Sequence, residues 1–157
     1  MWGPVLLKSP APSDLIMKTI SFEVPIDPFG KGRPRFSTKD GCYRTYTPSK
    51  TRKNESTIKQ FAKLAMGGCK PIANAVHLKA TFNFPIPKSY TKKRRLDCLN
   101  GKEHPTKKPD IDNVIKGILD PLNGVVFDDD VQVVSMEIIK KYVDGDGSIQ
   151  VEVKELQ

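Results

Sequence analysis

The chain has little with which to build a zinc centre or a disulfide framework. Its three cysteines, Cys42, Cys69 and Cys98, lie far apart and form no CxxC pair, and its two histidines, His77 and His104, complete no zinc-ligand spacing. An odd number of thiols without a secretion signal fits a reducing compartment, so a cytoplasmic protein is expected. Apolar runs long enough to cross a bilayer are missing. So are internal repeats and low-complexity tracts. Apolar residues make up only 38% of 157 residues, although a domain of this size buries about 70% of its unfolded surface. The deficit falls mainly in two stretches rich in Lys and Arg, and the length itself indicates one domain.

The first sixteen residues, MWGPVLLKSPAPSDLI, are patternless and too Pro-broken for a signal peptide. Met17 opens MKTISFEVP, which looks like a natural start. Residues 1–16 are therefore expected to be a disordered extension, and residues 17–157 a single domain. Alternation predicts a strand over 18–24. A long loop or irregular hairpin follows, running through GKGRPRFSTKDGCYRTYTPSK. Ile58, Phe61, Ala62, Ala65 and Met66 recur at helical spacing, which predicts a helix over 51–66 that ends at Gly67-Gly68. Residues 75–84 alternate as a strand. A second long loop leads to a helix over 110–122, whose apolar stripe is Ile111, Val114, Ile115, Ile118, Leu119 and Leu122. Strands over 131–143 and 148–154, joined by VDGDG, are expected to pair as an antiparallel hairpin. The order is β-α-β-α-β-β. The expected fold class is α+β, a small mixed sheet with two main helices packed on it.

Charge is segregated along the chain. The net charge is +8, which favours a polyanionic partner. Lys31, Arg33, Arg35, Lys39, Arg44, Lys50, Arg52 and Lys53 face a single acid, Asp40, in the first basic stretch. The second holds Lys88, Lys92, Lys93, Arg94, Arg95, Lys102, Lys107 and Lys108 against Asp97 and Glu103. A solvated charged surface would be mixed in sign. Phe36, Tyr43 and Tyr46 interleave with the first set, as on surfaces that follow phosphates and stack on bases.

Residues 108–132, KPDIDNVIKGILDPLNGVVFDDDVQ, invert that charge. Asp110, Asp112, Asp120, Asp128, Asp129 and Asp130 surround one cation, Lys116. Clustered carboxylates raise one another's pKa unless a cation offsets the repulsion. Any one of them could be a helix cap, but two flanking a single residue, followed by a triplet at a strand start, are hard to explain that way. Hard cations such as Mg²⁺ take carboxylate oxygens and keep several waters. Because a short turn links the second helix to the following strand, the two acidic groups are expected to converge on one metal. Lys116, one helical turn after Asp112, forms either an ordinary i,i+4 ion pair or a cation that stabilises negative charge on a phosphorane. Calcium loops are rejected, since their sixth positions hold Ile115 and Ile149 where glycine is needed. A basic protein holding a metal in an acidic patch has the character of an enzyme acting on nucleic-acid phosphates.

The run KPDIDNVIKGILD followed by DDDVQVV resembles the RusA family of Holliday junction resolvases, with looser agreement over residues 18–154. D-x-D-N-x-x-K with D-D-x-Q is far more specific than an isolated DxD. The resemblance implies a homodimeric, Mg²⁺-dependent endodeoxyribonuclease of prophage type that nicks four-way DNA junctions symmetrically in recombination and repair, with Mn²⁺ as a substitute metal. The family's catalytic aspartates fall on Asp110, Asp112 and Asp130 and its catalytic lysine on Lys116. Asp129 matches a further acidic position, so the implied metal set is Asp110, Asp112, Asp129 and Asp130. The extra Asp128 and the Lys108-Pro109 pair depart from the family pattern. The expected DNA contacts are Lys31, Arg33, Arg35, Arg44, Lys92, Lys93, Arg94, Arg95 and Lys108. A nuclease for flaps or other branched DNA, an RNA-directed nuclease and a DNA-binding protein without turnover are the competing readings.

Overall fold

The computed structural model describes residues 18–31, 35–39, 41–46 and 49–157. The expected extension at residues 1–16 lies outside them. The elements are β1 (Thr19–Val24), β2 (Arg35–Lys39), β3 (Cys42–Tyr46), α1 (Ser49–Met66), β4 (Val76–Pro85), α2 (Lys92–Leu99), α3 (Ile111–Leu122), β5 (Val133–Val143) and β6 (Ser148–Glu155). A 3-10 turn, Asp130–Gln132, leads into β5. Four strands form a mixed sheet in the order β1-β6-β4-β5, and β2 and β3 pair separately. This is the expected small α+β fold, with one helix more than anticipated: α2 occupies a stretch read as loop.

Periodicity builds the core. Ile58, Ala62 and Met66 form one buried stripe of α1, and Val114, Ile118 and Leu122 form another on α3. Both stripes pack with the inward residues of the sheet, including Leu78, Phe82, Ile149 and Val151. The other sheet face is polar and carries Ser21, Glu23, Lys79, Gln150 and Glu152. Gly67 and Gly68 end α1 at φ 57° and 81°, a conformation that glycine adopts without strain. Ile111, expected in the α3 stripe, is 49% exposed, whereas Gly117 is buried. A Cβ on Gly117 would come within 3.1 Å of the Phe29 ring, so this glycine lets the chain after β1 lie against α3.

The expected β5–β6 hairpin does not form. β4 stands between them, parallel to β5 and antiparallel to β6. β4 is the most deeply buried strand and fills the centre of the sheet. Stepping across one strand requires about 10 Å, and the link through 144–147 can reach on the order of 13 Å. That link runs close to the end of β4: a Cβ on Gly147 would lie 2.9 Å from the Asn83 carbonyl and would meet the Asp27 carboxylate.

Candidate active site

Asp110 occupies the position before the first turn of α3, with φ −66° and ψ 157°. Its carbonyl accepts the Val114 N–H at 3.1 Å, but its carboxylate makes no capping hydrogen bond. The helix start therefore leaves that acid group uncommitted. Asp112 follows in the first turn, and Asp112 and Lys116 are both exposed on α3. The segment before Asp110 is anchored from the sheet. Lys140 on β5 passes over the Phe84 ring, and its amino group donates to the Pro109 carbonyl at 2.9 Å and the Lys107 carbonyl at 3.1 Å. The Lys108–Pro109 peptide bond is cis. From the other side Gly30 lies so close that a Cβ on it would be 2.9 Å from Pro109 Cβ. The Lys31 N–H donates to the Asn113 carbonyl at 3.2 Å. Sequence reasoning missed Lys140, although it carries a signal: it is a cation at an inward position of β5, paired in register with the buried Phe82.

The second acidic group sits on the turn before β5. Asp128 and Asp129 are exposed and Asp130 is half-buried. The Asp130 carboxyl is held above its ordinary range, first by a hydrogen bond shared with Asp129, then by burial and by the Asp129 charge. Gln132 ties this turn down. Its Oε1 accepts the Asp129 N–H at 2.9 Å, and its Nε2 donates to the carbonyls of Ile72 at 2.7 Å and Asn74 at 2.8 Å.

The two acidic groups do not converge within one chain. No three of the His, Cys, Asp and Glu side chains among the described residues are grouped to hold a metal ion. A short turn after α3 cannot bring them together, because the helix itself lies between them. Asp110 and Asp112 are at the start of α3, while the turn to Asp128–Asp130 follows its end. Twelve residues of helix separate the ends by about 18 Å. Lys140 fixes Pro109 near the far end of β5, whereas Asp130 precedes that strand's first residue.

The expected DNA contacts divide into two kinds. Several are engaged within the protein. Lys31 pairs with Asp120 and lies 3.8 Å from Glu55. Arg94 makes a two-pronged bond to Glu103, with distances of 2.7–3.1 Å, and its guanidinium stacks 3.6 Å from the Tyr90 ring centre. That pairing raises the Arg94 pKa and lowers that of Glu103. Arg95 bonds Asp144 at 3.1 Å. With Ile86, Tyr90, Cys98 and Tyr142 these contacts build a small second core that holds α2 to β5. Burial, with Tyr90 beside it, pushes the Tyr142 hydroxyl up to about 12. Lys92, Lys93 and Lys108 are exposed and form no ion pair among the described residues. Arg35 and Arg44 lie on the paired strands β2 and β3, and Arg33 lies outside the described residues.

The family model described as "Endodeoxyribonuclease RusA" matches residues 25–154, most of the chain. The chain is also similar to the "Uncharacterized protein YqaN" of Bacillus subtilis (strain 168). The two are 34% identical over 131 residues, which cover 80% of this chain and 89% of the relative. No described helix is long and apolar enough to cross a membrane.

Proposed function

We propose that this chain, which belongs to the RusA family of endodeoxyribonucleases, is a Mg²⁺-dependent nuclease that resolves four-way DNA junctions by paired nicks as a homodimer. Family membership supports a nuclease of the resolvase type. The observation that carries the finer reading is the division of the carboxylates: Asp110, whose carboxylate makes no capping bond, beside Asp112 at the start of α3, and a mutually repelling Asp129–Asp130 pair on the turn before β5.

The donor chemistry fits a hard cation. Mg²⁺ is commonly held by one or two carboxylates, with water and substrate phosphate completing its shell. Each acidic group in this chain offers such a partial set. When bound, the metal supplies a Lewis acid at the scissile phosphate and lowers the pKa of water. The exposed Lys116, on the same face of α3 as Asp112, would balance negative charge on the phosphorane. Lys92, Lys93, Lys108 and the β2–β3 hairpin supply phosphate contacts that set register without reading sequence.

A twofold dimer suits both the junction and the divided carboxylates. β5 is an edge strand, and Val134, Met136 and Ile139 stand exposed along it, with Val131 exposed on the turn before it, a surface that soluble proteins generally cover or blunt. A second copy lying antiparallel on that edge would bring its Asp129–Asp130 turn to the end of β5 where Lys140 holds Pro109. Each site would then combine Asp110, Asp112 and Lys116 of one copy with Asp129 and Asp130 of the other.

The test is cleavage of a synthetic mobile four-way junction labelled on each strand in turn. We expect two opposed nicks within one bound complex in Mg²⁺, retained in Mn²⁺ and abolished by chelation. Faster cutting of flaps would move the substrate to other branched DNA, and preferred cutting of RNA would move it to that polymer. Tight binding without cutting would leave a DNA-binding protein.

A further inference from the structure

Three bonds to one uncharged side chain set Gln132 apart from the groups already given a role. Its amide uses both donors and its oxygen on backbone groups. Both Nε2 protons are taken by the Ile72 and Asn74 carbonyls, and Oε1 takes the Asp129 N–H. The orientation of the amide is forced. Two backbone acceptors face one end and a backbone donor faces the other, so a flipped amide would lose all three bonds. No other side chain of similar length matches this pattern. Glutamate lacks the donors, lysine lacks the acceptor, methionine has no donor and only a weak acceptor, and asparagine is one carbon shorter.

The anchor is firm at its far end. Ile72 is 3% exposed, its N–H donates to the Val126 carbonyl at 2.8 Å, and it bridges to Phe127. The clamp is closed at its near end as well, since the Gln132 N–H donates to the Asp129 carbonyl at 3.1 Å. Asp129 and Asp130 thus ride on a turn that this amide ties to the 72–74 segment, between flanks held at Phe127 and Val133.

We propose that Gln132 is a positioning residue: it clamps the Asp129–Asp130 turn to the 72–74 segment and holds both carboxylates in place to receive a divalent cation. This rests on the metal-dependent reading above and assigns Gln132 no contact with metal or substrate. Groups that orient metal ligands in this indirect way typically change metal affinity about 10–100-fold when replaced.

The experiment uses the full chain and its isosteric variant Gln132→Met. Mg²⁺ binding is measured calorimetrically without DNA, and junction binding is measured in chelator. The clamp predicts Mg²⁺ affinity lowered at least about tenfold, with junction affinity unchanged, because phosphate contacts do not pass through this turn. Unchanged Mg²⁺ affinity overturns the proposal. A parallel loss of Mg²⁺ and junction binding also overturns it, because that is the mark of general damage. If Gln132→Met does not fold, the wild-type protein decides by amide exchange. The Gln132 side-chain amide and the Asp129 N–H should be protected without Mg²⁺ and stay protected with it. Loss of protection on Mg²⁺ binding would show the clamp broken in the loaded site. A wild-type chain that binds no Mg²⁺ at all would instead refute the metal-dependent reading itself, before the variant is considered.

Discussion

Mixing two inactive variants tests how the site is composed. Asp112→Asn and Asp130→Asn should each abolish cutting while junction binding survives, because each removes one carboxylate and also reduces repulsion with DNA. In the structure Asp112 lies in the first turn of α3 and Asp130 on the turn before β5, past the other end of that helix, and no three acidic side chains of the described residues are grouped to hold an ion. A metal shell spans only a few ångströms, so one chain cannot offer both to the same ion. In a twofold dimer a site draws Asp112 from one copy and Asp130 from the other. A mixed dimer then has one doubly damaged site and one intact site. Random exchange of subunits makes roughly half of the dimers mixed, each with one working site of two, so about a quarter of wild-type nicking should return. Those nicks should be single and unpaired. The assay is denaturing electrophoresis of labelled junctions after the two variants are co-refolded, with each variant alone as the control. A mixture as inactive as its parents would refute a site shared between copies. Activity within tenfold of wild type in either single variant would remove that residue from the metal set.

Lys116→Ala should lower turnover about 10²–10³-fold without shifting the melting temperature, since Lys116 is exposed on α3; unchanged turnover at saturating Mg²⁺ would return it to a surface ion pair. Lys92→Ala with Lys93→Ala should flatten the dependence of log junction affinity on log salt by about 0.9 for each phosphate no longer neutralised, and should weaken all DNA substrates alike; a wild-type slope would exclude α2 from the DNA surface. Asp129→Asn should raise the melting temperature of metal-free protein near neutral pH. Asp130 has a folded-state pKa above its ordinary value, so the stability it contributes is present while it is protonated and is lost as pH rises through that raised pKa. The gain from Asp129→Asn should therefore shrink as pH falls through the carboxylate range, and a gain independent of pH would refute the repulsion.

Much of the fold was legible because its signals are local. The stripes of α1 and α3 lie in the 3.6-residue period, and β1, β4 and β6 alternate in the two-residue period. α2 was illegible for the same reason. Its sequence, KKRRLDCL, buries only Cys98 and offers no stripe to detect. The helix is held instead by side-chain bonds at and beyond its ends: Thr91 accepting the Arg94 N–H at 3.3 Å, Arg94 gripping Glu103, and Arg95 reaching Asp144. The consequence for function is direct. Arg94 and Arg95, expected to meet phosphates, are the bolts of that small second core, so replacing them would loosen α2 as well as remove charge. Lys92 and Lys93 are the pair that separates the two effects.

The same limit governs the acidic groups. Spacing in the sequence nominated the aspartates, but proximity in the chain was a poor guide to proximity in space. Asp120 and Asp128 are close in sequence, yet Asp120 is taken by Lys31 while Asp128 opens onto the turn before β5. Gln132, a neutral residue in a run of acids, had a place in the motif but no assigned task. Its partners, Ile72 and Asn74, precede β4 by only a few residues and lie about sixty positions away in the chain. A side chain whose work is done entirely on backbone groups leaves no compositional or charge signal, so only the fold could reveal it. The carboxylates, in contrast, could be nominated from the sequence because clustered acids repel one another unless a cation compensates. The proposed site divides its labour between charged residues assigned to the ligand and an uncharged one assigned to hold them still. The first kind can be nominated from the sequence, and the second has to be read from hydrogen bonds.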